Sequence, residues 1–275
     1  FPTEVRITVD AGGAVADLSR GNNVATVRTS QSTGRRRSVQ PPSSAATEYT
    51  PDANTIALFH MNETKGLGID DSSTNGLDAV ANGTLIVSGR FGRGRRLRND
   101  VTAEASEWIS MGAAKALNPT NGMTFEAWIH PMSSAVGLDS EMPIVTREDS
   151  VTGDVAYALG ISGSCGGVAN ALYFYNGAIG LCSSDAVALN EWSHVAFTLS
   201  QNAGQTTARL YINGELNGER IVRDAIPSKN LVTYIGRHWG RQSGARYNRG
   251  FDGMIDEVRF SDRARLAREF AAAPP

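Results

Sequence analysis

The sequence predicts an all-β protein, a two-sheet antiparallel sandwich or jelly roll with one short C-terminal helix. Three observations carry that expectation. Short segments with period-two apolar alternation recur from Thr55 to about Phe270. Clusters of Gly, Asn and Asp separate them, as turns do. A single stretch, Ser261–Ala272, has helical spacing, with Ser261 as its N-cap candidate.

Taken in order, Glu4–Asp10 alternates as a strand, Ala11-Gly12-Gly13 reads as a turn, and Asn22–Arg28 reads as a second strand. Two strands alone are marginal in water, so this unit, residues 1–30, is expected to pair with something outside itself. Residues 31–53 read as a linker, with Arg35-Arg36-Arg37 and Pro41-Pro42-Ser43-Ser44 and no apolar period. The triple arginine is a solvated charge cluster or, less favoured, a protease site. From residue 54 the clearest strands are Thr55–His60, Met123–His130, Pro143–Arg147, Ala156–Ile161, Leu172–Tyr175, Ser193–Ser200, Thr207–Ile212, Val232–Ile235 and Met254–Phe260. Asn213-Gly214, after Arg209–Ile212, is a hairpin signal. The sandwich is expected over 54–270, with 271–275 as a tail.

Composition narrows the function classes. Of 275 residues, 41% are hydrophobic, enough for a core. No run of apolar residues is long enough to span a membrane. The net charge of −2 argues against a nucleic-acid binder that relies on phosphate neutralisation. Phe1-Pro2-Thr3 reads as the interior of a longer precursor. Cys165 and Cys182 flank Ala171–Asn176, a strand running into an Asn176-Gly177 turn. A hairpin there brings the flanks together, so the pair is read as a disulfide, with two buried thiols as the alternative. There is no CxxC pair, dinucleotide or P-loop fingerprint, or nucleophile elbow.

Several segments taken together resemble a known family. Thr55–Glu63 is followed by Asp71–Gly76, Met123–Ile129, Trp192–Ala196, Leu210–Gly214 and Phe251–Phe260. In that order they resemble the laminin-G-like, concanavalin A-like lectin/glucanase jelly rolls of bacterial secreted proteins, over roughly residues 54–270. The N-terminal Val9-Asp10, Val15–Asp17 and Asn22–Val24 resemble the last two strands of a bacterial cell-adhesion-related, immunoglobulin-like (CARDB) domain. That resemblance implies that another segment or chain completes the domain. The first resemblance implies a secreted or surface-located module, and a structural Ca²⁺ where the first strand meets the last. By position its ligands are Glu63, Asp71 (in the Asp70–Asp71 loop) and Asp256, whose oxygen chemistry suits Ca²⁺.

Alternation then assigns faces. Phe125, Ala127, Ile129, Val195, Phe197, Leu210 and Ile212 should point into the core. Glu126, Trp128 and His130 should point the other way, in company with His194, Arg209 and Tyr211. Such a row suits sugar, although Trp128 also fits a residue packed under a loop. A second ligand candidate is the segment around Arg237, Trp239, Arg241 and Tyr247, read as a Gly-flanked loop. None of His60, His130, His194 and His238 has metal-motif spacing, which argues against zinc. Hydrolases of the resembled class carry a Glu-x-Asp-x-Glu run; Met254–Val258 has Asp256 but neither flanking Glu at the required offset. The expectation is a non-catalytic carbohydrate-binding or adhesion module whose partner is a glycan or a surface protein. The alternatives are a structural protein-interaction module and, less favoured, a polysaccharide lyase or hydrolase on the same fold, the lyase using Arg209, Tyr211, His130 and His194.

Overall fold

The computed structural model describes residues 5–8, 24–27, 47–99, 107–135, 141–149, 151–223, 226, 229–242 and 245–270, with backbone alone at 5–8, 24–27 and 239–249. The chain divides into two compact units, Phe1–Gln40 and Pro41–Pro275. The first holds β1 (Val5–Thr8) and β2 (Val24–Val27), an antiparallel pair in which Val5 faces Val27 and Ile7 faces Ala25. These strands thus pair with each other; the Ala11–Gly13 turn lies outside the described residues.

The second unit is all β. Its strands are β3 (Thr55–Phe59), β4 (Gly68–Ile69), β5 (Ala79–Asn82), β6 (Leu85–Ser88), β7 (Arg93–Leu97), β8 (Trp108–Ser110), β9 (Gly122–Pro131), β10 (Glu141–Glu148) and β11 (Val155–Ser162). There follow β12 (Ala171–Tyr175), β13 (Gly180–Ala186), β14 (Ser193–Asn202), β15 (Gln205–Ile212), β16 (Glu215–Val222), β17 (Val232–Ile235), β18 (Arg237–Gln242), β19 (Ala245–Gly250) and β20 (Gly253–Ser261). Sheet I runs β13-β12-β11-β10-β17-β8-β5-β4, and sheet II runs β16-β15-β14-β9-β20-β7-β6. Strand β3 also pairs with β20, alongside Val258–Ser261, while β7 pairs with Gly253–Ile255. The ladders are antiparallel throughout, so the two sheets form the expected sandwich.

The core lies between the sheets. Phe125, Ala127, Ile129, Val195, Phe197, Leu210 and Ile212 all belong to it, as alternation requires. The Phe197 ring of sheet II lies 5.7 Å from Tyr157 and 4.8 Å from Phe174 of sheet I, so aromatic packing spans the two layers. At Asn213-Gly214 both residues have positive φ (52° and 79°), and this turn joins β15 to β16. Successive positive φ values match the strand twist, which explains the asparagine and glycine there.

Two expectations are corrected. Ser261–Ala272 is not an α-helix over its described part: β20 runs through Ser261, and a short 3₁₀ turn covers Ala267–Glu269. The backbone there is committed elsewhere. Thr124 Oγ1 donates to the Arg263 carbonyl at 2.6 Å and accepts from the Arg265 N–H at 2.8 Å. Arg265 also reaches both Asp52 oxygens, at 2.8 and 2.7 Å. Local helical spacing therefore yields to contacts with β9 and with the segment before β3. The Arg237–Tyr247 segment is likewise no loop, since β18 and β19 form a hairpin with Trp239 opposite Asn248, Gly240 opposite Tyr247, and Arg241 opposite Arg246.

Candidate functional site: a groove on sheet I

The outer face of sheet I carries a groove of about 390 Å³ over β10 to β13. A ligand-sized hollow forms here because β11 offers small side chains outward. Tyr157, Leu159 and Ile161 fill the core, so Ala158, Gly160 and Ser162 alternate to the groove side. Their partners on β12 are Tyr175, Tyr173 and Ala171. Tyr173 closes over Gly160: a Cβ on that glycine would stand 2.6 Å from the tyrosine ring. The Tyr173 hydroxyl donates to Glu141 Oε2 at 3.4 Å. Tyr175, two residues along, is 45% exposed and offers an open ring face.

The groove walls come from two other places. Cys165, in the connection after β11, bonds to Cys182 of β13 with Cα atoms 5.7 Å apart, and this pair lines one side. The expected disulfide is therefore present. His238, at the start of the β18–β19 hairpin, lines the groove as well and pairs through Nδ1 with the buried carboxylate of Glu148 on β10. The groove thus combines phenol rings, a carboxylate, an imidazole and a serine hydroxyl.

The residues expected at sites fall differently. Glu126 and Trp128 do sit off the inter-sheet core, but the outer face of sheet II is itself covered. Glu126 is wholly buried, accepting from Arg259 Nε at 2.8 Å and lying 3.1 Å from His194 Nε2. Its carboxyl is held below the usual range by His194 and Arg259, against the opposing push of burial. Trp128 lies under the Arg90 guanidinium, 4.7 Å from its ring, with Phe91 edge-on at 6.1 Å. The loop-covered reading of Trp128 describes it, and neither residue presents a surface to a ligand. His130 is partly exposed and packs on Trp192, ring centres 5.5 Å apart. Arg237 is turned into Trp108, 3.9 Å from the ring, and burial lowers its pKa to about 10. The side chains of Trp239, Arg241 and Tyr247 lie outside the described residues, though their hairpin begins at the groove. The lyase set does not converge on open surface: His194 and Tyr211 are both under Phe270, at 5.3 and 4.8 Å.

The expected calcium ligands are also apart in role. Glu63 pairs with Arg95 at 3.2 Å and accepts the Asp70 N–H. Asp71 accepts the N–H groups of Leu58, Ser73 and Leu77. Asp256 is buried, accepts N–H groups from Phe91 and Glu257, and is pushed up to about 7 by burial. Among the described residues, none of the three belongs to a His/Cys/Asp/Glu group gathered closely enough to share an ion. As a set they do not fit a single Ca²⁺, which requires about 6–8 oxygens at ~2.3–2.6 Å.

Sequence reasoning missed Glu141, Tyr173 and Tyr175, whereas His238 lies within the Arg237–Arg241 segment that it singled out. The signal for the tyrosines was present: Ala171–Tyr175 alternates, with two tyrosines on the face opposite Leu172 and Phe174. What the sequence did not show is that β11 would lie beside it with only small residues outward.

Comparison with known proteins agrees with this architecture. Domain 4 of AbnA, a GH43 extracellular arabinanase from Geobacillus stearothermophilus solved with arabinotriose, superposes with TM-score 0.57 at 16% identity, covering 80% of this chain and 97% of that one. The sialidase of Trypanosoma rangeli gives TM-score 0.56 at 15% identity over 81% of this chain and 32% of that one. The botulinum neurotoxin serotype C1 binding domain gives 0.56 at 13% identity over 79% of this chain and 51% of that one. This chain therefore spans about a third of the sialidase and half of the neurotoxin domain. At such identities the likeness is one of fold. No curated protein matches the chain by sequence. The Laminin_G_3 family model, described as concanavalin A-like lectin/glucanases superfamily, matches residues 103–271, more than half of the sequence, and the chain belongs to that family.

Proposed function

We propose that this protein is a non-catalytic carbohydrate-binding module, and that its glycan lies in the sheet I groove. The observation that carries the reading is the exposed Tyr175 ring beside a floor of small residues, with the buried Tyr173 packed on Gly160 and with Glu141 and His238 alongside. Apolar C–H faces of a pyranose or furanose stack on phenol rings, and sugar hydroxyls bond to carboxylate, imidazole and serine. The volume, about 390 Å³, is within the range of small-ligand pockets. The arabinotriose complex of one fold neighbour is compatible with this use of the architecture. The burial of His194 and Tyr211 supports the choice of binding over lyase chemistry. The disulfide supports an oxidising, extracellular or surface location. No helix among the described residues is long and apolar enough to cross a membrane. The β1–β2 pair, too small to be stable alone, is read as part of an adhesion-type domain completed by another segment.

The test is a glycan array followed by calorimetry on the best ligand. Tyr175→Ala should weaken binding about tenfold, the loss of roughly one stacking contact. Trp192→Ala, away from the groove, should leave it unchanged. An empty array, or equal affinity for Tyr175→Ala and the parent, overturns the proposal.

A further inference from the structure

A second site is assembled on the outer face of sheet II, where β3 ends beside β20. Strand β20 carries a bulge between Asp256 and Arg259, and Glu257 within it has φ of +48°. Ile255 and Val258 remain in the core on either side. The extra residue turns Glu257 to the outer face beside Asp256, so two adjacent carboxylates are buried there. Glu257 meets His60, just past β3: Nδ1 lies 2.6 Å from Oε1. Glu48 completes the group, and the ligand atoms of all three lie within 4.8 Å of one another.

We propose that Glu48, His60 and Glu257 bind a Zn²⁺ ion, which ties the segment before the first jelly-roll strand to the last strand. Four features support it. One imidazole nitrogen with two carboxylates is a zinc donor set, whereas Ca²⁺ takes oxygens alone. Each carboxylate has one oxygen held by an outer donor: Tyr49 N–H to Glu257 Oε2 and Asn62 Nδ2 to Glu48 Oε1, both 2.7 Å. Such outer contacts orient metal ligands and leave the other oxygen to face the ion. The charge balance also suits a cation, since two carboxylates, Glu48 and Glu257, meet a single imidazole. Finally, the site is open to solvent, because Glu48 is exposed and the His60 side chain is 22% exposed. An ion can therefore enter, and water can supply the fourth ligand. Tetrahedral zinc at ~2.0–2.1 Å sets ligand atoms about 3.3 Å apart. His60 and Glu257 must therefore separate by under ~1 Å as the shared proton leaves to solvent.

The experiment is calorimetric titration of the EDTA-treated, dialysed full chain with ZnCl₂, with CaCl₂ in a parallel arm. One Zn²⁺ should bind per chain. Saturating zinc should raise the unfolding temperature by about 5 °C or more. His60→Ala and Glu48→Gln should each weaken binding at least tenfold, and His130→Ala should not. Glu48 is exposed, so its variant tests the site even where His60→Ala folds poorly. No zinc binding, binding unchanged in both variants, or tighter Ca²⁺ binding lost in the same variants overturns the assignment.

Discussion

At the residue scale, the groove depends on what is missing from one position. Gly160 lies beneath the Tyr173 ring, and a methyl group there would stand 2.6 Å from the ring and 2.7 Å from the Met142 carbonyl. Gly160→Ala should lift Tyr173 off the sheet and cost about 1–3 kcal/mol, the range for overpacking. Chemical unfolding would read the stability loss, and glycan titration of the folded variant should show weakened binding. Undiminished stability would mean that Tyr173 shifts freely. Core residues such as Phe125 and Phe197 were legible because period-two alternation names the buried face directly. Glu126 was assigned the correct face but an incorrect environment. Alternation says which side of a sheet a residue occupies, not whether another part of the chain covers that side. Here Tyr49 does so, edge-on to His194 at 6.4 Å, together with Phe270.

At the element scale, central strands were legible and edge or charged strands were not. Strands β9 and β14 read clearly because apolar residues alternate along them, and β20 because Val258 and Phe260 do so beyond its bulge. Strand β7, Arg93–Leu97, has three arginines, yet Arg95 is fully buried against Glu63 and the carbonyls of Gly66 and Gly68. Strands β13 and β16 are polar because they lie at sheet edges, where one side meets water. The C-terminal strap after β20 is held by ion pairs whose pH dependence has a defined sign. Arg265 lowers the Asp52 pKa, and Arg263 lowers that of Glu269 to about 2. Carboxylates depressed in the folded state add stability above their unfolded pKa values, and that stability is lost as pH falls through the folded values. The strap should therefore loosen between about pH 4.5 and 2. Hydrogen exchange should show earlier opening of 263–270 than of β14, and Asp52→Asn should move that opening to higher pH. Simultaneous opening of strap and β14 in both proteins would show that the strap has no separate transition.

At the scale of the whole molecule, two antiparallel sheets share one core in the second unit, and a disulfide walls the groove on sheet I. The Cys165–Cys182 bond spans 17 residues. Loop-closure entropy for that length gives about 3 kcal/mol. Cys182→Ser, or full reduction, should lower stability by roughly that amount and loosen the groove wall. Denaturant unfolding with glycan titration checks both, and an unchanged midpoint would count against any stabilising role. The sequence by itself determined the fold class, the inward residues of the central strands and the Asn213-Gly214 hairpin, and it favoured the cysteine pair over two buried thiols. Each of these is written in neighbours one to a few residues apart, or in a pair set beside a turn. Only the tertiary structure brings together the residues of the two proposed sites. The groove needs the small outward residues of β11 beside the tyrosines of β12, and His238 brought in from a later hairpin. The Glu48–His60–Glu257 group joins residues about two hundred positions apart through a strand pairing and a bulge. Local spacing carries no trace of such a group, because its geometry exists only once the first and last strands lie side by side.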